Sequence, residues 1–309
     1  MKSFIQFEPD LLPLWGLALE KESVQYPFLT YAWHKHWASH FGADEHLSIF
    51  ADTDAHMVIP LSIKDGVAHF TGGEEIADYL DAIGPDEKKA ATWKAILPTL
   101  SAQGATKLTL RNVPEGSGTL AYFRSVSKAT VTEEDVTPAI ALPSTFDTYL
   151  EQLDRKDRHE LTRKMKKFEA EQRLLTFHPR NGTAIDMNFL LQLMRHDEDK
   201  RTFLTPHMTE FFAELPKVFK GSLWQFVLTQ ENRIVACTVA FHADDSLLLY
   251  NSGFDPKYPG AGWYIKVKTI AWAIEQGLST YNLLQGNERY KYDLGAKDSA
   301  VYQITMSLV

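Results

Sequence analysis

Several things are scarce or missing in this chain of 309 residues, and each absence narrows the reading. There is a single cysteine, Cys237, so no internal disulfide framework exists. It lies in the apolar run Val235–Phe241 and reads as a buried strand residue, since free cysteine packs as a small hydrophobe. No apolar run approaches the ~18 residues that a membrane-spanning helix needs. The N-terminus, Met1 to Glu8, lacks the apolar core of a secretory signal, so the cytoplasm is the expected compartment. Net charge is −8, which gives no overall basic field for DNA. His36 and His40 share a helix face by their spacing, but nothing like His-Glu-x-x-His is present, and no metal is expected. No low-complexity linker divides the chain.

What is there is an ordinary globular composition and two successive runs of strands and helices. In the first half, Thr30 caps a helix through Trp33, Trp37 and Phe41. Strands over 46–51 and 57–63 follow, and Lys64-Asp65-Gly66 turns the chain into a third over 67–71. Ala90, Trp93, Ile96, Leu97 and Leu100 form the apolar stripe of a helix over 86–103. A strand over 106–113 closes this half. In the second half, a long helix is expected over 146–171, with further helices over 187–195 and after Thr205-Pro206. Three strands, 222–229, 233–242 and 246–252, precede a helix showing Trp263, Val267, Ile270, Ala271 and Ile274 on one face. Gly277 ends that helix, and strands over 280–285 and 300–309 complete the chain. The fold class is therefore α/β (α+β), in two units, 1–143 and 144–309, each a mixed, mostly antiparallel sheet flanked by helices.

The segment with most chemical content is Lys257-Tyr258-Pro259-Gly260-Ala261-Gly262, directly ahead of a helix. A helix N-terminus offers free N–H groups and partial positive charge, which suit a phosphate or pyrophosphate. Glycine lets the backbone approach the anion. Gly260, Ala261, Gly262 and Trp263 are thus candidate donors to a diphosphate, with an ordinary strand-to-helix turn as the plainer alternative.

The spacing Lys257-x-x-Gly260-x-Gly262 resembles the Gln/Arg-x-x-Gly-x-Gly/Ala turn with which GNAT acyltransferases hold CoA pyrophosphate, lysine replacing Gln/Arg. Gly286-Asn287-Glu288-Arg289-Tyr290-Lys291 resembles the Gly-x-Glu-x-Tyr-Lys segment of tandem GNAT-like proteins, the FemAB-like group and the acetyltransferases associated with cellulose and exopolysaccharide gene clusters. The basic helix around Arg158–Lys167 and Tyr26-Pro27-Phe28 before a Trp-bearing helix are similar to theirs as well. This resemblance implies two tandem GNAT-like domains, the first degenerate, which agrees with the lack of a glycine turn ahead of the helix in the first half. It also implies an acyltransferase that moves an acyl group, acetyl by expectation, from acetyl-CoA or another acyl-CoA to an amine or hydroxyl of a small-molecule, glycan or peptide acceptor. Two alternatives stand beside it. One is a FemAB-like transferase that uses aminoacyl-tRNA. The other is a non-catalytic binding protein on a GNAT scaffold.

Under the resemblance, Tyr290 is a candidate acid for the departing thiolate, because a phenol is a neutral donor at pH 7. Otherwise it is a core or rim aromatic. Glu288 is a candidate general base or the ion-pair partner of Lys291, which would then orient it or meet an anionic substrate. Asp255 is a weaker base candidate. Tyr250 and Asn251 end the strand that would pair with the donor's amide arm, and are expected to line the acyl site. Lys257 is either a phosphate contact or an exposed loop lysine. Arg158 and Arg163 stand in a basic island, Arg155–Lys167, that reads as a solvated face or as a docking site for an anionic acceptor or tRNA. His196-Asp197-Glu198-Asp199 reads as an acidic helix end.

Overall fold

The structure, a computed structural model, describes residues 1–172 and 174–309. The chain forms two compact units, one of 1–136 with 299–309 and one of 137–298. The chain order of the first unit is β1 (Lys2–Phe4), α1 (Leu11–Leu19), α2 (Tyr31–Phe41), β2 (His46–Asp52), β3 (Met57–Lys64), β4 (Val67–Phe70), α3 (Asp86–Ala102), β5 (Lys107–Pro114), α4 (Gly118–Arg124) and β6 (Ala129–Val136). The second unit follows as β7 (Ala139–Ala141), α5 (Phe146–Gln152), α6 (Arg155–Glu171), β8 (Leu175–Asn181), α7 (Met187–Met194), α8 (Glu198–Phe203), α9 (Pro206–Val218), β9 (Leu223–Gln230), β10 (Arg233–Ala243), β11 (Ser246–Phe254), α10 (Ala261–Glu275), β12 (Thr280–Asn282) and α11 (Arg289–Asp293). The last strand, β13 (Ala300–Ser307), closes the chain.

Each unit is built on one mixed sheet, in the orders β1-β2-β3-β4-β5-β13-β6 and β7-β12-β11-β10-β9-β8. Among the described residues all strand pairings are antiparallel except β4 with β5 and β11 with β12. Parallel neighbours need a crossover, and α3 and α10 supply the two. This is the mixed, mostly antiparallel α/β arrangement that the sequence pattern predicts, in both halves.

Three expectations change. The final strand, placed in the second unit by a boundary near 143, pairs with β5 and β6 and completes the first sheet. That pairing spans nearly two hundred residues of sequence, which local pattern cannot register. The expected single helix over 146–171 is two helices, because Leu153 and Asp154 take extended conformations and α6 starts afresh. The strand expected over 280–285 stops at Asn282, whose Oδ1 accepts the Leu284 N–H at 2.8 Å and turns the chain away.

Local signals set several elements as read. Thr30 Oγ1 accepts the Trp33 N–H at 3.2 Å, and Thr205 Oγ1 that of Met208, ahead of Pro206 at the first helical position. Trp93, Ile96 and Leu100 are fully buried along α3. Ala90, however, faces out, and Lys89 takes the inward position. Cys237 is buried in β10, and burial pushes its thiol up to about 12. No helix among the described residues is long and apolar enough to cross a membrane.

Candidate active site

The site grows out of the C-terminal half of β11. Its parallel pairing with β12 ends at Leu248 with Asn282, while β11 continues to Phe254 beside β10. Tyr250 is the extra residue of a bulge: Val239 faces Asn251 and Ala240 faces Leu249. Bulges bend a strand and re-aim the side chains beyond them. Gly253 then allows a close crossing by the end of α7, since a Cβ there would stand 2.7 Å from the Met194 nitrogen. That approach carries His196, Asp197 and Lys200 to the end of the strand, where Lys200 Nζ donates to the Ser252 carbonyl at 2.8 Å.

After β11 the chain turns through Asp255–Pro259 into α10. Gly260 is the N-cap, with φ of 97°, a left-handed conformation that disfavours any side chain. No acidic residue sits in the first turn of α10 and no side chain caps it. Gly260, Gly262 and Trp263 line a cavity of about 440 Å³ whose other walls include Ser252, Phe254, Lys200 and Tyr290. The four sequence candidates here differ in availability. The Ala261 N–H already bonds the Tyr258 carbonyl at 3.0 Å, so it is not free for a ligand. A Cβ on Gly262 would lie 2.5 Å from the Phe254 ring, so glycine is required there by a packing neighbour as well. Lys257 is exposed and outside the cavity lining, its own N–H held by Asp255 Oδ1 at 2.9 Å.

The facing wall is the loop from β12 into α11, and Lys291 explains its sequence. Its side chain is 2% exposed, and Nζ donates to the carbonyls of Leu284, Gln285 and Gly286 at 3.0, 2.6 and 3.0 Å. It also pairs with Glu288 Oε2 at 3.1 Å. Three carbonyls and a carboxylate around one ammonium shape the loop and hold Glu288 and Tyr290 toward the cavity. Lys291 itself is absent from the lining. Burial, reinforced by Glu288, pushes the Tyr290 phenol well above its ordinary value, so it stays protonated.

One residue of the α10 wall escapes the sequence pattern. Lys266, in the second turn of α10, is 8% exposed and lines the cavity. Nζ donates to the Gly262 carbonyl at 3.0 Å and lies 4.8 Å from the centre of the Tyr290 ring. Burial, with Lys200 next in weight, lowers its pKa to about 8. Burial lowers that of Lys200 too. Sequence periodicity treats a helix lysine as outward-facing, so it gives no signal for Lys266. Gly253 does carry one, a glycine inside a strand.

The remaining candidates lie away from the cavity. Tyr250 packs its ring against Phe212 and Phe241 at 5.7 and 5.2 Å, and Asn251 stands opposite Val239 in the sheet. Arg163 makes a two-pronged pair with Glu160 on the exposed face of α6, and Arg158 is half-buried on the same helix. Lys164 of that helix reaches toward the cavity rim, 5.7 Å from the Trp263 ring centre. His196–Asp199 is a helix start, not an end: Asp197 Oδ1 accepts the Lys200 N–H at 3.0 Å as the cap of α8.

Comparison with known proteins agrees with this layout. Residues 155–292, which contain every cavity-lining position, match the family model for an acetyltransferase (GNAT) domain. No curated protein shows significant similarity to the chain. Among solved structures, FemX is 11% identical, with 98% of this chain and 97% of that one covered at a TM-score of 0.65. L-PGS from Bacillus licheniformis is 14% identical, covering 97% and 91% at 0.63. A tandem GNAT protein from the clavulanic acid biosynthesis pathway is 11% identical, covering 100% and 99% at 0.54. Such identities speak to fold. The chain has the tandem GNAT-like, FemAB-like fold, and its residues 155–292 match the model of a GNAT domain.

Proposed function

We propose that the second unit is an acyltransferase that takes an acyl group from acetyl-CoA or a related acyl-CoA and gives it to an amine or hydroxyl. The observation that carries this reading is the coincidence of three features in one place. β11 loses its partner β12 after Leu248, α10 begins a few residues on with a glycine cap and no acid, and a cavity of about 440 Å³ lies between them. An unpaired strand segment suits the amide-bearing arm of a CoA thioester. A helix start suits its diphosphate, with the N–H groups of Gly262 and Trp263 as donors.

In this reading the acceptor amine attacks the thioester carbonyl. The new C–N bond forms, the C–S bond breaks, and the thiolate leaves with a proton. Tyr290, kept protonated by burial, supplies that proton. Glu288, held by Lys291, takes the proton of the amine directly or through water. Much of the acceleration comes from holding the two reactants together, on the order of several kcal/mol.

A second reading, FemAB-like transfer from aminoacyl-tRNA, draws on the cations of α6 beside the cavity rim, Lys164 foremost. Calorimetric titration separates the two. Acetyl-CoA should bind saturably, and acetyl-pantetheine, which lacks the diphosphate, at least tenfold more weakly. Silence at millimolar acetyl-CoA with folded protein, together with transfer from aminoacyl-tRNA, would replace the first reading by the second.

A further inference from the structure

Lys266 and Lys200 face one cavity, and among the described residues neither has a carboxylate within ion-pair distance. The two acids of the cavity lining are engaged elsewhere: Asp197 caps α8 and Glu288 pairs with Lys291. Each ammonium has one backbone carbonyl as its hydrogen-bond partner, Gly262 for Lys266 and Ser252 for Lys200. Lys266 is buried and Lys200 half-buried; a charge taken out of water without a counter-ion is unfavourable, and two of like sign more so. An entering anion would relieve both at once, in a site where low dielectric strengthens the attraction.

We infer that Lys200 and Lys266 form an oxyanion-binding subsite, for a carboxylate or phosphate carried by the acyl acceptor. The anion assignment stands on the two unpaired ammoniums alone; the word acceptor rests on the acyltransferase reading above. Position supports it. The main-chain donors proposed for the diphosphate, Gly262 and Trp263, open α10, whereas Lys200 comes from α8 on another wall and Lys266 lies under Tyr290. An anion held there sits beside the groups that would handle the proton. The lowered pKa of both amines agrees with an unfilled anion site, since a bound anion would favour their charged forms and raise it.

The test uses the full chain and two simple probes, sodium phosphate and sodium acetate, titrated by calorimetry into free protein and into protein saturated with acetyl-CoA. At least one probe should bind saturably in both states, at least tenfold more weakly in Lys200→Met and in Lys266→Met, and unchanged in Lys268→Met, on the same helix outside the lining. The tighter probe names the oxyanion. Melting curves accompany each variant, and neither lysine variant of the cavity should melt lower than the parent. No binding of either probe, or binding by the two cavity variants as tight as that of the parent, overturns the subsite. Loss of probe binding on saturation with acetyl-CoA assigns the lysines to the donor and overturns the acceptor. Should acetyl-CoA fail to bind while a probe still does, the donor reading falls and the anion subsite is upheld.

Discussion

The two crossover helices occupy the same place in their respective sheets, and each buries a lysine near its start. Their surroundings are opposite. In the first unit α3 opens with Pro85, Asp86 and Glu87, so its positive end is met by its own carboxylates. Lys89 Nζ lies 2.8 Å from Asp81, 2.9 Å from Asp86 and 3.2 Å from Glu22. Burial works against that charge, yet Asp81 and Glu22 outweigh it and push the pKa up. The space beside it is about 130 Å³, and Ser117 donates to Asp81 at 2.6 Å. In the second unit α10 opens on glycine, Lys266 has no acid within ion-pair distance among the described residues, and the space beside it is about 440 Å³. A site neutralised from within repels an anion; one left positive and open invites it. The difference separates the two halves of the molecule more sharply than the glycine turn does.

Removing each lysine should break this comparison most visibly. Lys89→Met strands Glu22, Asp81 and Asp86 in a mostly buried cluster, with an expected loss of about 3–5 kcal/mol in urea unfolding. Lys266→Met removes an unpaired charge, and its Gly262 carbonyl keeps the helical N–H of residue 266. That variant should be as stable as the parent or more so. Equal destabilisation by the two would show that Lys266 is structural, and the contrast between the helices would fail.

Lys291 is the intermediate case, a buried ammonium satisfied by carbonyls. Lys291→Met leaves three carbonyls and Glu288 without their donor, and water can reach only some of them. We expect a loss of about 3 kcal/mol, with faster hydrogen exchange confined to residues 284–288. Retained stability and unchanged exchange would mean that the loop holds its shape without the lysine.

How much of this is legible in the sequence depends on which interactions are local. Caps at Thr30 and Thr205, the stripe of Trp93, Ile96 and Leu100, and the glycine start of α10 depend on neighbours a few residues away, and the sequence pattern finds them. The inward turn of Lys89 and Lys266 depends on what packs across from them: Glu22 and Asp81 in one unit, Tyr290 and α8 in the other. An amphipathic pattern scores lysine as outward, so it chooses Ala90 over Lys89 and passes over Lys266. Gly286-x-Glu288-x-Tyr290-Lys291 is legible as a motif, yet its inner logic is not. The three carbonyls that Lys291 gathers come from main chain, which no pattern of side chains displays. Gly262 reads as a ligand position, while the Phe254 ring that leans on it is visible only in three dimensions.

The smallest expected effect is also the most specific to the contrast between the lysines. The gap between about 8 and the ordinary 10.5 for Lys266 corresponds to about 3 kcal/mol. Below pH 8 the amine is charged in both folded and unfolded chains, and folding bears the whole penalty of burying it. Between pH 8 and 10.5 the folded chain releases that proton first, so stability from this group rises with pH, and above 10.5 the penalty is gone. The groups facing it are Lys200, Lys291, Glu288 and the Tyr290 ring; the two lysines oppose its charge, while Glu288 and the ring face favour it. Because other lysines and tyrosines titrate in the same range, the measurement is a difference: urea unfolding of the parent and of Lys266→Met at pH 7, 8.5 and 10. The variant should lead by on the order of 1–3 kcal/mol at pH 7, and the lead should shrink as pH rises. A lead that stays constant, or that grows, would mean that Lys266 is already matched by a counter-charge as Lys89 is, and the two helices would then differ in shape alone.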